Sequence, residues 1–311
     1  MLIELIKFII CSILIVIISK HILSRALRSL AIGIKLKPKT IGNLAGIATS
    51  IPELLSVMIA GVNGLVETTT FNILTSNIIN FVEYIVTVVI NKNIKELKHK
   101  AIKREILLVL ITIGISVIIA LYEGKIGILG IVIFIFLFLL FHYIDRQIHK
   151  KYLKKEDEIF KNEVLETEDG KQNKEKIYKY VLIIICSGIL LFLVGNILSN
   201  SLELLCNRFG ISQIIIGILL GIITSAPEVV TFYEAQRYYN KKEYGKILGV
   251  IEATNNLVSS NIINLFIIQS IGMIIAKWFF TTTIKSCIDI LEKIIYNTIE
   301  LIRKGDFYDR H

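Results

Sequence analysis

Proline is scarce in this sequence: Pro38, Pro52 and Pro227 are the only three in 311 residues. A chain with so few helix breakers suits long uninterrupted helices, and a proline that does interrupt one needs a reason. Cysteine is sparse as well. Cys11, Cys186, Cys206 and Cys287 lie far apart without the spacing of a metal centre, which leaves packing as their role. Neither a nucleophile with its base nor a phosphate-cradling glycine loop is present, so the chain is read as no enzyme, with no catalytic residues and no cofactor. The first apolar segment is not followed by a small-residue cleavage pattern, and is read as a first helix rather than a cleaved signal.

Charge is missing over long stretches. Phe8–Ser19, Ile106–Tyr122, Ile126–Ile144, Tyr180–Leu202 and Ala253–Ala276 carry no acid, Lys or Arg, in a chain that is 54% hydrophobic with mean hydropathy +0.67. Several of these runs approach the roughly 20 residues that span a bilayer. Three more runs are interrupted by one acid: Glu53 within Thr40–Val66, Glu83 within Thr68–Asn91, and Glu228 after Phe209–Pro227. These patterns predict an all-α membrane protein of about eight transmembrane helices.

The net charge of +9 gathers in alternate loops. Lys20, Arg25, Arg28, Lys35, Lys37 and Lys39 follow the first span; Lys92, Lys95, Lys98, Lys100, Lys103 and Arg104 follow the third; Arg237, Lys241, Lys242 and Lys246 follow the seventh. Basic loops mark the cytoplasmic side, so the expectation is an N-terminus outside a prokaryotic inner membrane. Lysines beside spans are topology signals, and no nucleic-acid partner is expected.

One phrase occurs twice. "GNLAGIATSIPELLSV" aligns with "GILLGIITSAPEVVTF", matching Gly42 to Gly217, Gly46 to Gly221, Thr49 to Thr224 and Glu53 to Glu228; "SNIINF" at Ser76 then pairs with "SNIINL" at Ser260. Five spans precede the second copy, so it enters the membrane from the opposite side. The chain is therefore read as two inverted-topology repeats with broken helices at the TSxPE motifs, a layout that puts a substrate site near the midplane. The expected divisions are a first transmembrane half over 1–144, a charged cytoplasmic linker over 145–179, a second half over 180–276, and an amphipathic interfacial segment over 277–311. The linker holds ten Lys/Arg and nine Asp/Glu in 35 residues.

A proline within a helix has no N–H for the carbonyl four residues back, so Pro52 frees the oxygen of Ala48 and Pro227 that of Ile223. Beside them stand Thr49, Ser50 and Glu53, and Thr224, Ser225 and Glu228. Carbonyl, hydroxyl and carboxylate oxygens without soft ligands are the donor set for hard cations such as Ca2+ and Na+. Asn72, Ser76 and Asn80 share one face of the following helix, as do Asn256, Ser260 and Asn264. Single hydroxyls and amides also join membrane helices without binding ions. A mid-membrane carboxylate costs at least about 2.5–3.5 kcal/mol and needs a partner, so a cation site is assigned to Glu53 and Glu228. Glu83 lies towards the cytoplasmic end, within reach of water, and Glu67 and Glu252 are expected to be solvated near span ends.

At these residues the chain resembles a known family. "TSIPE" followed by "SNIIN", and "TSAPE" followed by "SNIIN", are similar to the two alpha-repeats of the calcium/cation antiporter superfamily, especially the sodium/calcium exchangers. The resemblance implies Ca2+ and Na+ as transported ions, with ligands Glu53, Thr49, Ser50 and Ser76, and Glu228, Thr224, Ser225 and Ser260. It also implies alternating access, in which spans one and six slide across a static core. Many relatives carry an aspartate at one of the positions held here by Asn80 and Asn264. Three readings stay open: Na+/Ca2+ antiport, H+/Ca2+ or other cation antiport, and a degenerate relative that binds a cation without moving it.

Overall fold

A computed structural model of the chain describes residues 2–18, 22–34, 36–62, 64–122, 127–160, 174–209, 212–241 and 245–277. Among them there is no strand. The helices are α1 (Leu2–Ile18), α2 (Ser24–Gly33), α3 (Pro38–Thr49), α4 (Ile51–Val62), α5 (Val66–Ile90), α6 (Lys100–Leu121), α7 (Ile128–Tyr152) and α8 (Lys154–Phe160). The second half supplies α9 (Lys174–Phe209), α10 (Gln213–Thr224), α11 (Ala226–Lys241) and α12 (Lys246–Ile263). The helical backbone of α12 continues through a π-turn at Asn264–Ile268 to Lys277.

Taking α3 with α4 and α10 with α11, seven helices among the described residues are long and apolar enough to cross a membrane. The eighth expected span is α1, whose 17 residues sit at the short end of the spanning range. This is an integral membrane protein of two inverted repeats. Of the segment 277–311, expected to be interfacial, all but Lys277 lies outside the described residues, as does Cys287. Cys11 is buried in α1 as expected, whereas Cys186 lies on the outer surface of α9 instead of packing inward.

The centre of the bundle is α12. Nearly every residue from Leu248 to Ile262 is buried, because α3, α5, α6 and α11 surround it. Outer helices show the opposite pattern, with apolar side chains such as Leu129, Phe136 and Leu139 of α7 and Leu182 and Leu193 of α9 exposed. Such faces are stable against lipid tails and not against water. α1 packs along α9, and α9 also meets α4, which leaves α1 and α9 at the periphery of the bundle, away from α12.

Glycine sets the closest approach between the repeats. A Cβ on Gly42 would collide with the backbone oxygen of Glu252, and one on Gly46 would lie 2.6 Å from that of Asn256. The other repeat reproduces the arrangement: Cβ atoms on Gly217 and Gly221 would each come within 2.7 Å of backbone oxygens, those of Thr68 and Asn72. The first half of each broken helix therefore uses a Gly-x-x-x-Gly face to press on the long helix of the other repeat, α3 on α12 and α10 on α5. Gly46→Ala or Gly221→Ala is expected to destabilise the fold by about 1–3 kcal/mol through overpacking. Gly114→Ala, with nothing within 4 Å, is the neutral control. Equal thermal unfolding midpoints for all three variants would contradict this packing.

Two expectations about charge change with the fold. Lys39, grouped with the basic loop residues, is buried in the first turn of α3 at 7% exposure. Its ammonium lies 2.5 Å from the Asp145 carboxylate and 3.5 Å from that of Glu105, both buried, because the beginning of α6 and the last turns of α7 lie beside it. Glu252, expected in water, is 4% exposed because α3 covers that turn of α12. In the stretch assigned as a linker, α7 stays helical to Tyr152 and α8 follows; residues 161–173 lie outside the described set.

Candidate functional site

Both TSxPE motifs break their helix at one serine. Ser50 separates α3 from α4 with φ −79° and ψ 3°, and Ser225 separates α10 from α11 with φ −76° and ψ −8°. The hydroxyls around each break turn to backbone carbonyls. Thr49 donates to Ala45 O at 2.9 Å, Thr224 to Leu220 O at 2.9 Å and Ser225 to Gly221 O at 2.8 Å. Such bonds keep the hydroxyl oxygens near the helix axis with lone pairs to spare.

Glu53 and Glu228 follow the breaks in the first turns of α4 and α11, and both are fully buried. Glu228 Oε1 accepts from Ser260 at 3.1 Å; Ser260 Oγ is 3.0 Å from Ser50 Oγ and accepts from Asn80 at 3.2 Å. One short chain of contacts thus gathers residues from both breaks and both following helices. On the other side Ser76 donates to Gly221 O at 3.3 Å, and the hydroxyls of Ser76 and Thr224 stand beside the Glu53 carboxylate without a well-formed hydrogen bond to it.

The polar inventory does not close. Glu53 Oε1 and Oε2, Glu228 Oε2, Asn80 Oδ1 and both amide atoms of Asn264 are buried without a hydrogen-bond partner among the described residues. Asn264 begins the π-turn, where the Gln269 N–H reaches back to its carbonyl. That bulge is a local departure of a kind often found at working sites. Of the acids outside the motifs, Glu83 is partly buried, and its Oε2 has no hydrogen-bond partner among the described residues. No group of three or more His, Cys, Asp or Glu gathers around one point among the described residues, so acids alone do not make a metal cage here.

Some supporting residues escaped the sequence reading. Ser56 accepts from Asn72 at 2.8 Å and itself donates to the carbonyls of Pro52 and Glu53; Thr231 accepts from Asn256 at 2.5 Å and donates to Glu228 O. Each is the hydroxyl three residues after a motif glutamate, a signal present in "PELLS" and "PEVVT". These paired bonds fasten each glutamate's helix to the helix that follows. Asn77 and Asn261 join α5 to α12, Asn261 donating to Asn77 O at 3.1 Å.

A membrane protein with two inverted, broken helices that bring buried carboxylates, hydroxyls and amides together is built like an ion carrier. The sequence matches the family described as "Sodium/calcium exchanger protein" over residues 5–145 and 179–295, and the chain belongs to that family. Its fold is similar to solved structures of the sodium-calcium exchanger NCX_Mj. One, soaked with 10 mM Na+ and zero Ca2+, gives a TM-score of 0.53 at 16% identity, covering 88% of this chain and 84% of that one. Another, soaked with 100 mM Na+ and 10 mM Sr2+, gives 0.53 at 18% identity, with coverages of 88% and 83%. No curated protein sequence matches this chain significantly.

Proposed function

We propose that the chain exchanges Na+ for Ca2+ across the membrane by alternating access, with Glu53 and Glu228 as the charged ligands of the carried ion. The observation that supports this most is the state of their oxygens. Three of the four are buried without a partner, and neither residue enters any salt bridge among the described residues. Two buried anions in a low-dielectric interior are costly to leave uncompensated, and one Ca2+ balances both charges. Thr49, Ser50, Ser76, Asn80, Thr224, Ser225, Ser260 and Asn264 complete the oxygen set that replaces the ion's hydration shell.

The same cost explains exchange rather than leak. A core that is unfavourable when empty reorients readily only with ions aboard, so release of Ca2+ on one side waits for Na+ to take its place. A cavity of about 360 Å3 between α4 and α9, lined by Leu55, Met58, Val62, Asn196 and Asn200, lies beside the Glu53 helix and suits an access path that sliding of α1 and α9 would open and close. The basic loops favour an inner-membrane placement with the N-terminus outside and the 145–179 linker in the cytoplasm. A second reading uses H+ as the counter-ion. Asn80 and Asn264 favour it, because they leave the centre with two acids that protons can also neutralise.

Flux of ⁴⁵Ca2+ into proteoliposomes tests both readings, first with an imposed Na+ gradient and then with a pH gradient. Uptake driven by Na+ alone is expected. Uptake driven only by the pH gradient selects H+, and binding without uptake in either condition overturns antiport.

A further inference from the structure

The charged stretch after α7 is not free of the bundle, because α8 is docked on it. Phe160, the last residue of α8, is 1% exposed and packs with Tyr239 of α11 and Leu248 of α12. Asp157 pairs with Lys37, the residue that opens α3, at 2.6 Å and with His149 of α7 at 3.2 Å. Glu156 meets His99, the residue before α6. The Nδ1 of His99 accepts from the Ala101 N–H at 3.3 Å, so its Nε2 donates to Glu156 Oε1 at 3.2 Å. Seven residues thus touch the ends of α3, α6, α7, α11 and α12.

What α8 covers is the place where the two broken helices meet. Ile41 of α3 is buried against Tyr238 of α11, Tyr238 meets Tyr239 edge to face at 5.1 Å between ring centres, and Tyr239 packs on Phe160. A continuous line of side chains therefore runs from the first broken helix through the second to α8. These are the helices that lead into the Ser50 break and out of the Ser225 break. Their seam lies at the Lys37 end of the span Pro38–Val62, whereas the 360 Å3 cavity lies towards its Val62 end.

We propose that α8 is a strap that holds the α3–α11 seam shut on the side of the basic loops and has to leave its seat for the seam to open. It rests on the exchange reading for its place in the cycle. With α8 docked, ions come and go past Val62; with α8 released, the way opens past Ile41. One buried ring fixes the strap, and the remaining ties are part-exposed charge pairs, which are individually weak in water. Such a segment can detach while the bundle behind it stays folded.

Thiol accessibility of the purified full chain tests this, with Cys11, Cys186, Cys206 and Cys287 replaced by Ala. Ile41→Cys reports the seam, Val62→Cys reports the opposite end, and the probe is a charged, water-soluble methanethiosulfonate. Asp157→Lys combined with Phe160→Asp releases α8, since the first meets Lys37 with a like charge and the second puts a charge between Tyr239 and Leu248. Release is expected to speed the reaction at Ile41→Cys by about tenfold or more and to leave that at Val62→Cys within about twofold. Equal rates at Ile41→Cys with α8 docked and released overturn the strap, as does an equal rise at both positions, which would report a loosened fold. A second variant works in the other direction. Lys37→Cys with Asp157→Cys, joined by a reducible bifunctional methanethiosulfonate, is expected to stop Na+-driven ⁴⁵Ca2+ uptake until the link is reduced. Uptake at the unlinked rate with the link in place overturns the proposal. Should the unsubstituted chain move no Ca2+, the exchange reading falls while the Ile41→Cys comparison still decides the strap.

Discussion

Replacing either Glu53 or Glu228 by Gln is expected to weaken Ca2+ binding by about 30- to 5,000-fold, the equivalent of about 2–5 kcal/mol for losing one member of a buried charge pairing. Gln keeps the length and one oxygen of the side chain but removes the charge that balances the divalent ion. Stability should move the other way. Both Glu53 oxygens are enclosed without hydrogen-bond partners, so without metal the neutral amide costs less in the interior than the carboxylate it replaces. The expected pattern is a variant that binds Ca2+ poorly and yet, in metal-free buffer, unfolds at the same temperature as the unsubstituted chain or higher. Isothermal titration and thermal unfolding of each purified variant measure the two halves. Unsubstituted affinity in both single variants would falsify the assignment of these glutamates to the ion.

That pattern was legible from sequence because the chain states it twice. A proline and an acid inside an apolar run stand out once; when Thr, Ser, Pro and Glu recur at matching places, followed by matching Ser and Asn, one explanation has to serve both copies. The spans were legible for a related reason, since a bilayer demands long uncharged stretches and the sequence supplies them. What hid from view were pairings across distant parts of the chain. Lys39 reads as one more lysine in a basic loop until α6 and α7 bring Glu105 and Asp145 beside it. Glu252 reads as a span-end acid until α3 lies over it. The Ser56–Asn72 and Thr231–Asn256 bonds had a visible signal, a hydroxyl three residues after each motif glutamate, but its meaning depended on which helix lay opposite.

Lys39→Met is expected to destabilise the protein by about 3–5 kcal/mol, the cost of breaking a buried ion pair by removing one partner. Among the described residues, the ammonium is the one positive group paired with these two buried carboxylates. It bonds the Asp145 carboxylate and backbone oxygen at 2.5 and 3.2 Å and lies 3.5 Å from Glu105, which also accepts from Asn255 at 3.5 Å. Met fills a similar volume but leaves two buried carboxylates without their cation. The network joins α3, which leads into the Glu53 break, to α6, α7 and α12, so its loss should also loosen the support of the proposed ion site. The triple variant Lys39→Met, Glu105→Gln, Asp145→Asn separates charge from packing. If unpaired charge is the cause, neutralising both acids should recover most of the lost stability, because a buried ionic group replaced in full by neutral side chains is often nearly neutral for folding. Thermal unfolding midpoints in detergent compare the three proteins. A Lys39→Met protein as stable as the unsubstituted one would show that water or another cation reaches Asp145 and Glu105, and a triple variant no better than the single would put the loss in the packing of the residue 39 side chain itself.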